Sequence, residues 1–151
     1  MPMITSEYED TSIPPLDEGI YRATVKKIAL QAKKAGKEYA SVRIDYKVVV
    51  PMDQASKASA DGTYSLVEFI SLHPKAGWKL EEFLVGCGAE NGKGFTKEGP
   101  KGSERLMWDS DLFIDKETLL TLSQSQETDG NGQPKPGGRI RNQVEAHGPV
   151  A

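Results

Sequence analysis

An all-β domain carrying one helix is the fold class this sequence predicts, and three observations predict it. Apolar and polar residues alternate through Tyr21–Val25 and through Val42–Val50, the period of a half-buried strand. A later stretch, Lys75 to Cys87, instead spaces Trp78, Phe83, Leu84 and Cys87 for one helical face. The length of 151 residues suits a single core, since domains of this size bury about 68–70% of their unfolded surface.

Residues 1–18 are polar, contain Pro2, Pro14 and Pro15, and read as an extended acidic arm without a clean period. The first strand starts at Gly19, with Tyr21, Ala23 and Val25 on one face. Its phase shifts at Lys26-Lys27, so that Ile28 and Leu30 become the next apolar positions. One extra residue of this kind is a β-bulge, which bends a strand. Lys33-Lys34-Ala35-Gly36-Lys37 makes a basic turn, with a glycine able to take positive φ. In the second strand Val42, Ile44, Tyr46, Val48 and Val50 share the buried face, opposite Ser41, Arg43, Asp45 and Lys47. Pro51 ends it, because proline cannot donate to a ladder.

Gln54 to Gly62 is a loop of small residues, and Thr63 to Leu72 is a third strand whose buried face is blurred by Leu66-Val67 and Phe69-Ile70. After His73-Pro74 comes the helix, in which Trp78 is expected in the core and which Gly86 and Gly88 end. Asn91 to Gly102, with four glycines, Pro100 and three lysines, reads as a loop. Trp108 to Ile114 reads as a short turn packing its aromatics onto the barrel. Thr118 to Ser125 is the fourth strand, and Asp129 to Gly138 a long hairpin tip. Arg139 to Val144 is the fifth strand, with Ile140 and Val144 facing inward, and residues 147–151 form a short tail.

Three strands, a helix, then two strands is the order of an OB-fold, a five-stranded Greek-key barrel with the helix between strands three and four. The rival β-sandwich would show about seven strands and no central helix. The domain expected is therefore residues 19–146.

Composition narrows the function. A charged fraction of 27% and the absence of a long apolar run exclude wholesale disorder and a helical membrane class. The N-terminus has no apolar segment of the secretory kind. One cysteine, Cys87, excludes an internal disulfide framework and fits a reducing cytoplasm. It follows a helical apolar run, which makes it a buried structural thiol. His73 and His147 belong to no metal-binding spacing and read as surface or loop histidines. Glu104, Asp109, Asp111, Asp115 and Glu117 could crowd around a cation, but the pattern is equally that of a solvated acidic rim. No glycine cluster matches a nucleotide-binding fingerprint. No catalytic residues, metal or cofactor are assigned, and an enzyme is not expected.

The net charge of -3 hides an uneven distribution. Residues 1–19 carry five acids and no Lys or Arg, whereas residues 20–50 carry eight bases against two acids, a local charge of +6. Such a local field can steer a polyanion. OB-folds bind oligonucleotides over strands two and three and the flanking loops. There the sequence presents Arg22, Lys26, Arg43 and Lys47, with Lys33, Lys34 and Lys37 in the turn. Tyr39 is the expected stacking platform, Trp108 a second candidate, and Arg139 and Arg141 on strand five extend the cationic groove. Cations with a stacking ring suit single strands, whose unstacked bases all offer a π-face.

The chain also resembles the small single-stranded DNA-binding proteins of bacteriophages. The resemblance is carried by Leu16-Asp17-Glu18-Gly19-Ile20-Tyr21, by Lys33-Lys34-Ala35-Gly36-Lys37-Glu38-Tyr39 and by Val42-Arg43-Ile44-Asp45-Tyr46-Lys47-Val48. The stretches Gly77-Trp78-Lys79-Leu80-Glu81-Glu82-Phe83-Leu84 and Arg139-Ile140-Arg141-Asn142-Gln143-Val144 complete it, over most of residues 16–146. It implies an OB-fold that coats single-stranded DNA in phage replication or recombination, in the host bacterial cytoplasm and without metal or cofactor. Many such proteins end in an acidic tail that recruits replication partners or competes for the DNA groove. Here Val144 to Ala151 has one acid, and the acidic segment stands at the N-terminus instead. An oligomer through barrel edges or the arm is compatible with the sequence. The alternative function is a protein-interaction or structural module on the same barrel.

Overall fold

The computed structural model describes residues 14–32, 39–126, 131–133 and 140–150. The chain is mostly β with one α-helix. Strands β1 (Gly19–Gln31), β2 (Ser41–Val49) and β3 (Thr63–Ser71) form an antiparallel meander. Helix α1 (Gly77–Gly86) follows, then short strands β4 (Glu90–Asn91), β5 (Gly94–Glu98) and β6 (Arg105–Trp108), and finally β7 (Glu117–Gln126) and β8 (Ile140–Gly148). The main sheet has the order β3-β2-β1-β7-β8, and β4, β5 and β6 make a separate small sheet. The stretch expected as a loop, Asn91 to Gly102, thus contributes paired strands. Phe95 supplies the reason: it is buried in the core opposite Trp108, and Gly92 and Gly94 turn the chain at positive φ.

The bulge expected in β1 is present. The β1–β2 register shifts between Val25 and Lys27, so that Val25 faces Tyr46 and Ile28 faces Ile44. Both apolar residues, three apart, thereby stay on the inner side. A second bulge lies in β8, between the pairs Thr121–Ala146 and Leu122–Val144. It brings His147 as well as Val144 to the buried face. The expectation of a surface or loop histidine is therefore corrected at His147, whose side chain is wholly buried. His73 is a loop histidine, and its Nδ1 accepts from Lys75 N at 3.0 Å.

The buried stripe of α1 is Leu80, Phe83 and Leu84, continued by Cys87. Trp78 precedes Leu80 by two residues, about 200° around the helix, and is 63% exposed instead of core. Gly86 allows the helix to touch the sheet: a Cβ there would lie 2.7 Å from Thr118 Oγ1 and 3.1 Å from His147 Cβ. Ile140, expected inward, is 52% exposed because it pairs with Gln126 beyond the end of the core.

The segment before β1 is more than an arm. Leu16 is fully buried. Its N–H donates to Asn142 Oδ1 at 2.8 Å, and its carbonyl accepts from Asn142 Nδ2 at 2.8 Å and Gln124 Nε2 at 2.9 Å. Asn142 so stands in for a neighbouring strand. Next to it, Gln54 belongs to a 3-10 turn (Met52–Lys57) in the stretch expected as a loop. Its Oε1 accepts from Asp17 N at 2.8 Å, and its Nε2 donates to Tyr21 Oη at 2.7 Å. Where a short turn from Trp108 to Ile114 was expected, Trp108 instead ends β6 and a 3-10 turn (Ser110–Phe113) follows; Trp108 and Phe113 meet edge-on, with ring centroids 5.8 Å apart. Among the described residues no helix is long and apolar enough to cross a membrane.

Candidate functional site

The bulge and strict alternation in β2 set the outer face of the β1–β3 meander. Ser41, Arg43, Asp45 and Lys47 point outward from β2, since Val42, Ile44, Tyr46 and Val48 are buried. On β3 the buried set is Leu66, Glu68 and Ile70, which leaves Ser65, Val67, Phe69 and Ser71 outside. The register puts Arg43 opposite Phe69, Asp45 opposite Val67 and Lys47 opposite Ser65. Cross-strand neighbours have Cβ atoms about 4.5–5.5 Å apart, so the Arg43 and Phe69 side chains rise side by side. Phe69 is 56% exposed, although an aromatic of its size normally buries most of its surface.

Phe69 was not singled out by sequence reasoning. Glu68 is the cause: a carboxylate on the inner parity made the alternation of β3 unreadable. The signal that could have found it is the neighbouring strand, whose clear parity dictates that of β3 once the two are paired.

Arg22, Lys26, Arg43 and Lys47 come together on the outside of β1 and β2. Each has a partner there. Arg22 pairs with Glu117, Lys26 Nζ with Asp115 Oδ1 at 3.1 Å, and Arg43 Nε with Asp45 Oδ1 at 2.9 Å, while Lys47 Nζ donates to Ser65 Oγ at 3.1 Å. Exposed pairs of this kind contribute about 0–1 kcal/mol, so a phosphate can compete for the cation. Lys27, exposed opposite Asp45, adds a fifth base to this face. Lys33, Lys34, Lys37 and Arg139 lie outside the described residues.

Other expected site residues stand apart. Tyr39 is 38% exposed just before β2 and meets His73 edge-on, with centroids 4.7 Å apart. Trp108 ends β6, half-buried against Phe113. It borders an open cleft of about 430 Å³ with Leu72, Pro74, Leu80 and Arg105. Arg141 is exposed on β8 opposite Ser125, separated from β2 by β7 and β1. It does not join the Arg43 group.

The acidic residues are dispersed. Asp115 and Glu117 serve as ion-pair partners, and Asp109 Oδ1 accepts from Asp111 N at 3.0 Å. Among the described residues no group of three or more His, Cys, Asp or Glu side chains could hold a metal ion. Burial pushes the Cys87 thiol up to about 12, so it stays protonated at neutral pH. Among the described residues, what this face offers is an exposed ring with flanking cations. No family model matches the chain, and no curated protein matches it.

Proposed function

We propose that the protein binds single-stranded DNA without strong sequence preference, on an OB-fold barrel, and acts in bacteriophage DNA replication or recombination within the host bacterial cytoplasm. The observation that carries the reading is the exposed Phe69 beside Arg43 on the outer β2–β3 surface. A ring there can stack on any base, while Arg43, Lys47, Lys27 and Lys26 track the backbone phosphates. The order β3-β2-β1-β7-β8, with α1 between the third and fourth of its strands, supports the OB assignment. The phage assignment rests on the resemblance over residues 16–146. Binding of this kind needs no catalytic group and no cofactor.

The test is titration of labelled oligo-dT and of duplex at several salt concentrations. Single strands are expected to bind more tightly, with a log–log salt slope near -0.7 per neutralised phosphate, about -3 for four of them. No binding to single strands at low salt overturns the proposal. The pairing of Arg22, Lys26 and Arg43 with carboxylates favours a second reading, a protein-interaction module whose surface charges are mutually satisfied. Under it, changing Lys33, Lys34 and Lys37 to Ala leaves activity intact; under DNA binding it weakens affinity for all sequences alike.

A further inference from the structure

Four antiparallel steps separate β3 from β8, so the two edge strands of the main sheet run parallel, and among the described residues no main-chain hydrogen bond joins them. Side chains close the gap instead. Glu68, on the inner face of β3, accepts through Oε1 from Tyr46 Oη at 2.7 Å and lies 2.8 Å from His147 Nε2 on β8. The other ring nitrogen, Nδ1, lies 2.9 Å from Glu82 Oε1 on α1, and the same oxygen accepts from His147 N at 2.7 Å. One imidazole thus connects β3, β8 and α1. The two carboxylates bracket it from opposite nitrogens and do not converge on a common point.

We infer that His147 is a protonated latch holding the β3–β8 seam closed, and that the seam loosens as rising pH removes the ring proton. Two carboxylate oxygens facing two ring nitrogens require a donor at each, and only the imidazolium has both. With the proton lost to water, one nitrogen presents a lone pair to a carboxylate. Glu68 has no reserve: its Oε2 is buried without a hydrogen-bond partner, and the nearest cation, Lys79 Nζ on α1, is 3.9 Å away. Protonated, the group of Glu68, Glu82, His147 and Lys79 is balanced; deprotonated, it leaves an excess negative charge in a buried place, which is costly. The remaining titratable neighbours, Tyr46 and Cys87, are held neutral by burial, the first also by Glu68.

Burial of His147 disfavours its charge, but the bonds and charges of Glu68 and then Glu82 outweigh that and hold its value above the ordinary 6.5. Below about 6.5 the ring is protonated in folded and unfolded chains alike, and the latch contributes fully. As pH rises through the higher folded value, that contribution is lost. Each unit of difference appears as a tenfold larger opening constant once the pH exceeds both values.

The experiment follows the His147 ring signals by NMR against pH in the full chain, with amide hydrogen exchange across β3 and β8 corrected for its intrinsic pH dependence. The expected result is a ring midpoint above 6.5, with loss of amide protection sharing that midpoint and absent from His147→Gln. A midpoint at or below 6.5, or identical protection profiles in both proteins, overturns the inference. Should His147→Gln fail to fold, Glu82→Gln serves: it keeps the Glu68 bond and is expected to lower the ring midpoint, and an unchanged midpoint overturns the inference.

Discussion

Single side chains carry the functional reading, and Phe69 carries most of it. A phenylalanine more than half exposed on a strand contributes little to the core, so replacing it with Ala is expected to cost under about 1 kcal/mol of stability. Stacking of one base on an aromatic ring is worth about 1–3 kcal/mol, or roughly 5- to 150-fold in affinity. Fluorescence anisotropy with oligo-dT, beside urea unfolding, separates the two effects. Equal affinity of the Phe69→Ala protein would leave the outer face without its stacking role. Tyr46 shows the opposite case at the same scale. It alternates with Val48 and Ile44 on the inner face, as its parity in the sequence demands, and its hydroxyl is committed to Glu68. Tyr46→Phe is expected to destabilise the fold by about 1–3 kcal/mol, since it removes one of two donors to a buried carboxylate oxygen. Urea unfolding at pH 6, where the His147 bond remains, measures it.

At the scale of elements, the boundaries of the domain are the lesson. Polarity and the absence of a period mark an arm ending at residue 18, but Leu16 is fully buried and its main chain is clasped by Asn142 of β8. Leu16→Ala is expected to cost about 2–5 kcal/mol, as for other large-to-small changes in a core, by urea unfolding. Removing residues 1–18 would therefore damage the fold. Helix α1 depends in a similar way on one small residue. Gly86→Ala places a methyl 2.7 Å from Thr118 Oγ1, and overpacking of this kind is expected to lower stability by about 1–3 kcal/mol. Strands β1 and β2 were legible because their apolar residues keep a period that only the bulge at Lys26 interrupts. Strand β3 was not, because Glu68 lies on its inner side. Strands β4 and β5 were hidden by glycines, whose turn-forming conformations look the same in a loop and between short strands.

For the whole molecule, the distribution of charge matters more than its total. The +6 over residues 20–50 was legible in the sequence, but on the described outer face Arg22, Lys26, Lys27, Arg43 and Lys47 meet Asp45, Asp115 and Glu117. A strand of DNA must displace these acids, which lowers its affinity, while the counterions released from its neutralised phosphates make that affinity fall with salt. Changing Lys33, Lys34 and Lys37 to Ala should make the log–log slope shallower by about 0.7 for each phosphate that is no longer neutralised, measured by titration at several salt concentrations. By itself the sequence determined the strand periods, the helix, the bulge in β1 and the segregation of charge, because each depends on neighbours close along the chain. Only the tertiary structure decided that Phe69 stands beside Arg43, that Leu16 belongs to the core and that His147 joins β3 to β8 and α1. Those outcomes depend on register and on a second bulge, through which residues as far apart as Glu68 and His147 come within 2.8 Å.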